Sequence, residues 1–511
     1  MPGGGAYAVN ALAALPLATA TPGWHDLVGL LPEVIVAGGF LALMLLDLVV
    51  PPARRTWLAV FSGAVLVGAL AVSVWGWYDA GSAGRSVFFG AFAYDRLAEF
   101  GNCVILVTSL LTVVISPGYL DRRRLHHGEY YSLVMAATVG MMLLAGATSL
   151  MVIFLAIELL SISLYILSGF SRQEERSQEA AVKYLLLGSF ASAFLLFGMA
   201  LVYGETGHTQ LAQIAEAMSR SLPVDPLLVG GIILMFVGLA FKVSAAPFHA
   251  WTPDVYQGAP TSVTTFMSVA TKVAAFIVII RLFDDAFASY YSHWSAVVIT
   301  VAILSMVVGN FAALTQNSIK RMLAYSGIAQ AGYILIGVAV GVGTPLGVQG
   351  ALYYLAAYAF TNLGAFAVVT VMSGRGEDLD RYDQLRGLWH RRPYVAAALA
   401  FFLLSLAGFP FTAGFMGKFL VFAAAIQAHN VALALWGIGT SAVSVFYYLR
   451  VTLIMFQRPK EDAPAYEWPR TGRAGSAVLL VTAAGTLVLG IFVGLVLTVA
   501  TMAQAGTLPG R

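Results

Sequence analysis

Runs of about 20 apolar residues follow one another along this sequence, each long enough to cross the hydrocarbon core of a bilayer as a helix. Fourteen can be drawn, near 27–50, 56–78, 96–116, 129–147, 150–170, 178–204, 227–248, 260–283, 293–314, 321–341, 346–373, 394–428, 431–456 and 475–503. A segment in lipid must satisfy its backbone polar groups internally, so these runs predict an all-α polytopic membrane protein. The run at 394–428 is too long for one straight crossing and contains GFPFTAG, which predicts a broken helix twelve. Charged residues make up only 10% of the chain, against about 25% in soluble domains. A single cysteine, Cys103, leaves no internal disulfide and no cysteine-ligated metal or iron–sulfur centre. The first residues are rich in Ala and Leu but lack the basic start of a signal peptide, and residues 1–26 read as a short extracytoplasmic tail.

The placement of the basic residues gives the orientation. Connections that follow odd-numbered helices hold 18 of the 28 Lys and Arg residues, those that follow even-numbered helices hold 5, and 5 fall inside the runs. The positive-inside rule then puts the odd exits in the cytoplasm and both termini outside. A faint internal repeat accompanies this. Tyr165-Ile-Leu-Ser-Gly169 closes helix five as Tyr333-Ile-Leu-Ile-Gly337 closes helix ten. AVKYLLLGSFASAF in helix six likewise corresponds to ALYYLAAYAFTNLGAF in helix eleven, and a proline-broken segment follows in both cases. Five helices per unit is an odd number, so consecutive units would be inverted, as in many transporters.

Charge inside the runs is the informative exception. Lys242 lies in GGIILMFVGLAFKVSAAPFHAW with Pro247 five residues on, and Pro410 and Lys418 repeat the pairing in the second half. A lysine at the bilayer centre costs about 3 kcal/mol on insertion scales, and such residues usually line ion or proton paths. Helix five adds Glu158, helix six adds Lys183 with Glu179 one turn earlier, and helix eight adds Lys272. In sequence order this is an acid followed by a line of bases expected near the middle of the bilayer. Burial disfavours the charged form of a lysine and a nearby carboxylate restores it, so a chain of such sites can pass protons with coupled titrations. His249, just past the first break, is a further candidate for the proton path. Glu33 and Asp47, near the ends of helix one, read as interfacial, Arg450 as a packing group, and His126 and His127 as solvated. Gly417-Lys418 lacks the Ser or Thr of a phosphate-binding loop, since Phe419 follows.

Four blocks, FLAIELLSISLYILSGFSR, EAAVKYLLLGSFASAFLLFGMALVYGETG, FKVSAAPFHAWTPDVYQGAPTSVTTF and NSIKRMLAYSGIAQAGY, resemble the N-subunit family of bacterial respiratory complex I, the proton-translocating NADH:quinone oxidoreductase. The resemblance covers roughly residues 27 to 505, and PDVYQGAP is its most specific piece. It implies an antiporter-like fold of fourteen helices, with helices 1–3 over 27–125 and two inverted five-helix repeats over 126–288 and 289–457. Helices seven and twelve are then broken, and a cytoplasmic connection, helix fourteen and a tail fill 458–511. It implies proton-transfer roles for Glu158, Lys242, Lys272 and Lys418, with Lys183 and Glu179 at charged positions of helix six. Glu158 would pair with Lys242, Lys272 would connect two half-channels and Lys418 would face the exit.

The same resemblance implies a translocase subunit of the bacterial inner membrane with no redox centre of its own. NADH, FMN, iron–sulfur clusters and quinone belong to partner subunits, among them the antiporter-like M and the small A, J and K subunits, and no nucleic acid is involved. Two other readings compete: a subunit of a multisubunit cation/proton antiporter, and a scaffold whose charges are static pairs.

Overall fold

The computed structural model describes residues 23–82, 84–219, 225–458 and 466–504. Most of the expected tail at 1–26, the end of the chain at 505–511, and part of the 458–473 connection therefore lie outside the described residues. Among the described residues, twelve helices are long and apolar enough to cross a membrane. Shorter apolar helices, Pro226–Lys242, Pro393–Ala407 and Ala413–Gln427, occupy the segments expected to be broken. The crossings are referred to below by the ordinal numbers given to the runs.

Local chemistry explains where several helices start. Asp95 caps span three (Arg96–Arg123) by accepting from the Ala98 amide at 2.7 Å, and Ser318 caps span ten (Ile319–Gly341). Proline opens span seven at Pro226, span eleven at Pro345 and span twelve at Pro393, where its missing N–H would have no partner in any case.

Burial sorts the helices into layers. The apolar window of span eight (Thr261–Ala286) is wholly buried, and those of spans ten and eleven (Pro345–Met372) are 94% buried. These three form the interior. Spans one (Leu31–Val49) and two (Thr56–Asp79) are mostly exposed and lie at the edge. Packing partners recur in the two halves. Span four (Gly128–Gly146) packs on five (Leu150–Ser168) and on eight, as nine (Tyr291–Leu314) packs on ten and thirteen (Val431–Phe456). Span six (Glu175–Thr206) packs on seven, as eleven packs on twelve.

Three interruptions shape the interior. The first half of span seven stops at Lys242 itself, five residues before Pro247, and Ser244 takes a left-handed φ of 64°. The chain resumes as the short helix Trp251–Gly258, and the Ala246 amide between the halves donates to Ser305 Oγ of span nine at 2.8 Å. Span twelve breaks after Ala407 at Gly408, whose φ of 94° few residues other than glycine adopt. Lysine precedes the break in span seven and follows it in span twelve. The third interruption has no proline: span eight pauses at Ser268 and Val269, between Thr261–Met267 and Ala270–Ile280. The sequence signals no break there.

Two small elements add to the bundle. Arg85–Val87 and Phe92–Tyr94 form an antiparallel ribbon at the end of the bundle opposite the arginine-rich loops. The short helix Leu211–Ser219 turns Leu211, Ile214, Ala215 and Met218 inward at helical spacing.

Candidate functional site

Lys242, Lys272 and Lys418 are 4%, 1% and 4% exposed, and among the described residues none of them lies within 4.0 Å of a carboxylate. Each is held by neutral groups, and each sits at or next to one of the three interruptions.

The Lys242 ammonium donates to Ser161 Oγ of span five at 2.6 Å. Around it stand the rings of Tyr165, Tyr184 and Phe241, with centroids 5.6, 5.8 and 5.7 Å from Nζ, an arrangement that stabilises a cation through the ring faces. Glu158 is half-buried one turn before Ser161, and its Oε1 is enclosed without a hydrogen-bond partner. The direct Glu158–Lys242 pair is therefore absent. Ser161, three residues on and on the same helical face, takes the ammonium instead.

Lys272 follows the pause in span eight and donates to the Gly327 carbonyl of span ten at 2.5 Å, under the Tyr358 ring at 5.5 Å. Gly327 makes this approach possible, because a Cβ there would stand 3.0 Å from Nζ. The Tyr358 hydroxyl and Asn362 Oδ1 are buried without partners, and Asn362 Nδ2 donates to Ser268 in the pause at 3.0 Å.

Lys418 is the most fully bonded of the three. Its three N–H groups meet the carbonyls of Leu406 and Ala407 at 2.9 and 3.0 Å and Ser441 Oγ at 2.9 Å. Those carbonyls belong to the last turn of Pro393–Ala407, where the break leaves them without a following amide. A helix C-terminus favours a cation there. A cavity of about 610 Å³ borders the lysine, lined by Gly408, Phe415, Phe422, Gln427 and Ser441 among others.

Lys183 and Glu179 lie elsewhere. Lys183 is 39% exposed at the arginine-rich end of the bundle, paired with Glu179 and Asp254, each at 2.6 Å. Asp254 also holds Arg321 at 2.6 Å, and these side chains line a pocket of about 210 Å³. Lys183 is thus no member of a mid-membrane line. It lies eight residues from the start of its helix, about 12 Å at 1.5 Å per residue. The pocket is nonetheless one residue from the lysine line: Tyr184 stacks on Trp251 at 4.4 Å and 6° and also faces Lys242. His249 is half-buried in the break with its Nδ1 enclosed and unpartnered.

Several charged residues were not legible as buried. Lys320, counted among the basic loop residues, is 1% exposed and donates to the Ala259 carbonyl at 2.9 Å and to Asp378 at 3.1 Å. Asp378, in the loop after span eleven, also accepts from Tyr119 and Thr261. Burial pushes its carboxyl up, but Lys320 and Arg123 outweigh that and hold it below the ordinary 3.8. Arg281 and Asp95, both fully buried, pair at 2.6 Å across spans eight and three. Glu33, in the first turn of span one, is buried in protein where a solvent-reaching side chain was expected, and accepts from Asn102 Nδ2 at 2.9 Å, with Glu99 beside it. The signal for these was weak, since each partner comes from a distant helix. Among the described residues no group of three or more His, Cys, Asp or Glu could hold a metal ion.

The profile of the NADH:quinone oxidoreductase/Mrp antiporter transmembrane family matches residues 147–444. The NADH-quinone oxidoreductase subunit N of Trichlorobacter lovleyi is 44% identical over 475 residues, covering 93% of this chain and 96% of the relative. A chain of respiratory complex I from Thermus thermophilus, solved with bound aureothin, superposes with a TM-score of 0.77 at 35% identity, over 91% of this chain and 98% of that one. A chain of the Mrp complex from Dietzia sp. DQ12-45-1b shares the fold, with a TM-score of 0.81 at 24% identity, over 94% and 97%.

Proposed function

The chain belongs to the NADH:quinone oxidoreductase/Mrp antiporter transmembrane family, and on that footing we propose that Lys242, Lys272 and Lys418 carry protons through it. It is a proton-translocating membrane subunit of a bacterial NADH:quinone oxidoreductase, working among the other subunits of the membrane arm. The redox centres lie in those partners, as does the quinone.

The observation that carries the role of the lysines is their shared environment. All three are buried, at helix interruptions, and free of any carboxylate ion pair. A lysine fixed for structure is normally neutralised by an acid, as Lys320 is by Asp378. A lysine held only by hydroxyls, carbonyls and ring faces can release its proton without stranding a buried counter-ion. Moving one charge against 100 mV costs about 2.3 kcal/mol. A hydrogen bond to a charged group contributes about 1.5–3 kcal/mol. Shifting one acceptor of Lys418 is thus enough to change its hold on a proton by the amount pumping requires.

Protons enter from the cytoplasm at the pocket of Lys183, Glu179 and Asp254, pass the Tyr184–Trp251 stack to Lys242, and cross to Lys272 and then Lys418. They leave by the cavity beside Lys418. Glu158 acts on Lys242 through space from one turn beyond Ser161, and His249 lines the break. The paired packing of spans four to eight and nine to thirteen supports two inverted repeats, and the arginine-rich loops support cytoplasmic odd exits with both termini outside. The 44% identity across 93% of the chain favours this reading over a separate cation/proton antiporter.

The test is Lys418→Ala in the assembled enzyme in proteoliposomes. Protons delivered per NADH oxidised should fall below the wild-type ratio. A wild-type ratio from an assembled variant would make Lys418 a bystander.

A further inference from the structure

Between Lys272 and Lys418 lies a stretch with no charged side chain on the path, and one amide closes it. Gln330 of span ten is 1% exposed and stands three residues past Gly327, so it shares a helix face with the carbonyl that holds Lys272. Its Nε2 donates to the Leu406 carbonyl at 3.1 Å and to Tyr448 Oη at 3.3 Å. Its Oε1 accepts from the Tyr354 hydroxyl. The Leu406 carbonyl is also an acceptor of Lys418, at 2.9 Å. On the other side Tyr448 Oη is hydrogen-bonded to Ser326, the neighbour of Gly327. Hydrogen bonds thus run from Lys418 through the Leu406 carbonyl, Gln330 and Tyr448 to Ser326, whose chain neighbour Gly327 holds Lys272.

The chemistry of the amide decides what this series can do. A main-chain carbonyl only accepts, so Gln330 must turn its nitrogen, not its oxygen, toward Leu406. Turning the side chain over would set two oxygens against each other and leave the Tyr354 hydroxyl facing an NH₂ group. With the nitrogen fixed, both of its N–H bonds point outward, one to each side of the path. A proton arriving on Tyr448 Oη meets a donor with no lone pair to receive it. A hydroxyl or a carboxyl at this position takes a proton on one side and gives one up on the other; a neutral amide does not.

We infer that Gln330 insulates Lys418 from Lys272, keeping the central and exit lysines protonically separate until its amide leaves the Leu406 carbonyl. The inference rests on the reading of these lysines as proton carriers. Gln330 is a positioning residue: it denies a path and, by sharing Leu406 with Lys418, couples the barrier to that lysine's own hydrogen bonds. When the amide leaves, Lys418 keeps the Leu406 acceptor to itself and the vacated place is open to a relaying group.

The experiment uses the assembled enzyme in proteoliposomes and follows the decay of an imposed pH gradient without NADH, then protons delivered per NADH. Gln330→Glu, whose carboxyl relays, should speed the decay several-fold and lower the ratio. Gln330→Leu, which relays nothing, should decay no faster than wild type. Gln330→His, whose imidazole takes a proton on one nitrogen and gives one up from the other, should shift the decay in the same direction as Gln330→Glu and serves if that variant fails to assemble. Adding Lys418→Ala to Gln330→Glu should restore a slow decay. Equal leakage of the Glu and Leu variants, or a wild-type decay in both Gln330→Glu and Gln330→His, would overturn the barrier. Normal pumping by Lys418→Ala alone would instead overturn the lysine line on which it rests.

Discussion

At the scale of residues, the geometry turns on small neighbours that let a lysine reach a neutral acceptor. Gly327 is the sharpest case, because any side chain there meets Lys272 Nζ and the Tyr358 hydroxyl at once, at 3.0 and 3.1 Å. Gly327→Ala should therefore push the ammonium off its carbonyl and lower the number of protons pumped per NADH while assembly is retained, which subunit content on a native gel would check. Ser161→Ala removes the one side-chain hydrogen bond of Lys242, a loss of about 1.5–3 kcal/mol for a charged donor. Its expected effect is impaired pumping at least as severe as that of Glu158→Gln, because the hydroxyl touches the ammonium and the carboxylate does not. A variant pair with the order reversed would restore the carboxylate as the direct partner. The lysines themselves were legible from sequence, since nothing local explains a lysine in an apolar run. Ser161, Gly327 and the Leu406 carbonyl were not, because they approach from helices 81, 55 and 12 residues away.

Elements account for the rest of what was and was not readable. Proline announced the breaks in spans seven and twelve, but the stop at Lys242 itself and the pause at Ser268 and Val269 follow from packing inside the bundle. Spans eight, ten and eleven are buried nearly all round, so their sequences show no single buried face. A lone buried amide such as Gln330 or Asn362 therefore carries no signal in the sequence. Lys183 and Lys320 exchanged their expected surroundings for a related reason: hydropathy does not fix where a helix end meets a loop from a distant part of the chain. The loop carrying Asp378 covers Lys320 and ties spans three, eight and ten together. Its depressed carboxyl contributes stability that is fully present above pH 3.8 and is lost as the pH falls through the lower folded value. Asp378→Asn should cost on the order of 3 kcal/mol at neutral pH and flatten this part of the acid dependence, as thermal unfolding of both proteins across that range would record. An unchanged acid limb in the variant would assign the dependence to other groups.

On the scale of the whole molecule, the buried basic side chains fall into two kinds among the described residues. Arg281 with Asp95 and Lys320 with Asp378 are closed ion pairs that pin helices, whereas Lys242, Lys272 and Lys418 have no such partner. The proposed orientation puts the arginine-rich end, with its loops at 121–128, 171–177 and 375–393, in the cytoplasm. Single cysteines placed in those loops, in a Cys103-free background, should react with an impermeant reagent only from the cytoplasmic side, and labelling of two or more from outside would reverse the orientation.

The central claim is that the unpaired lysines carry the pumped protons, and Lys272 tests it most directly because it joins the two halves. The measurement is protons delivered per NADH oxidised, in proteoliposomes, for Lys272→Ala in the fully assembled enzyme. The ratio should fall below that of the wild type while NADH oxidation continues. A wild-type ratio with Lys272 absent would contradict the account and return all three lysines to a structural role.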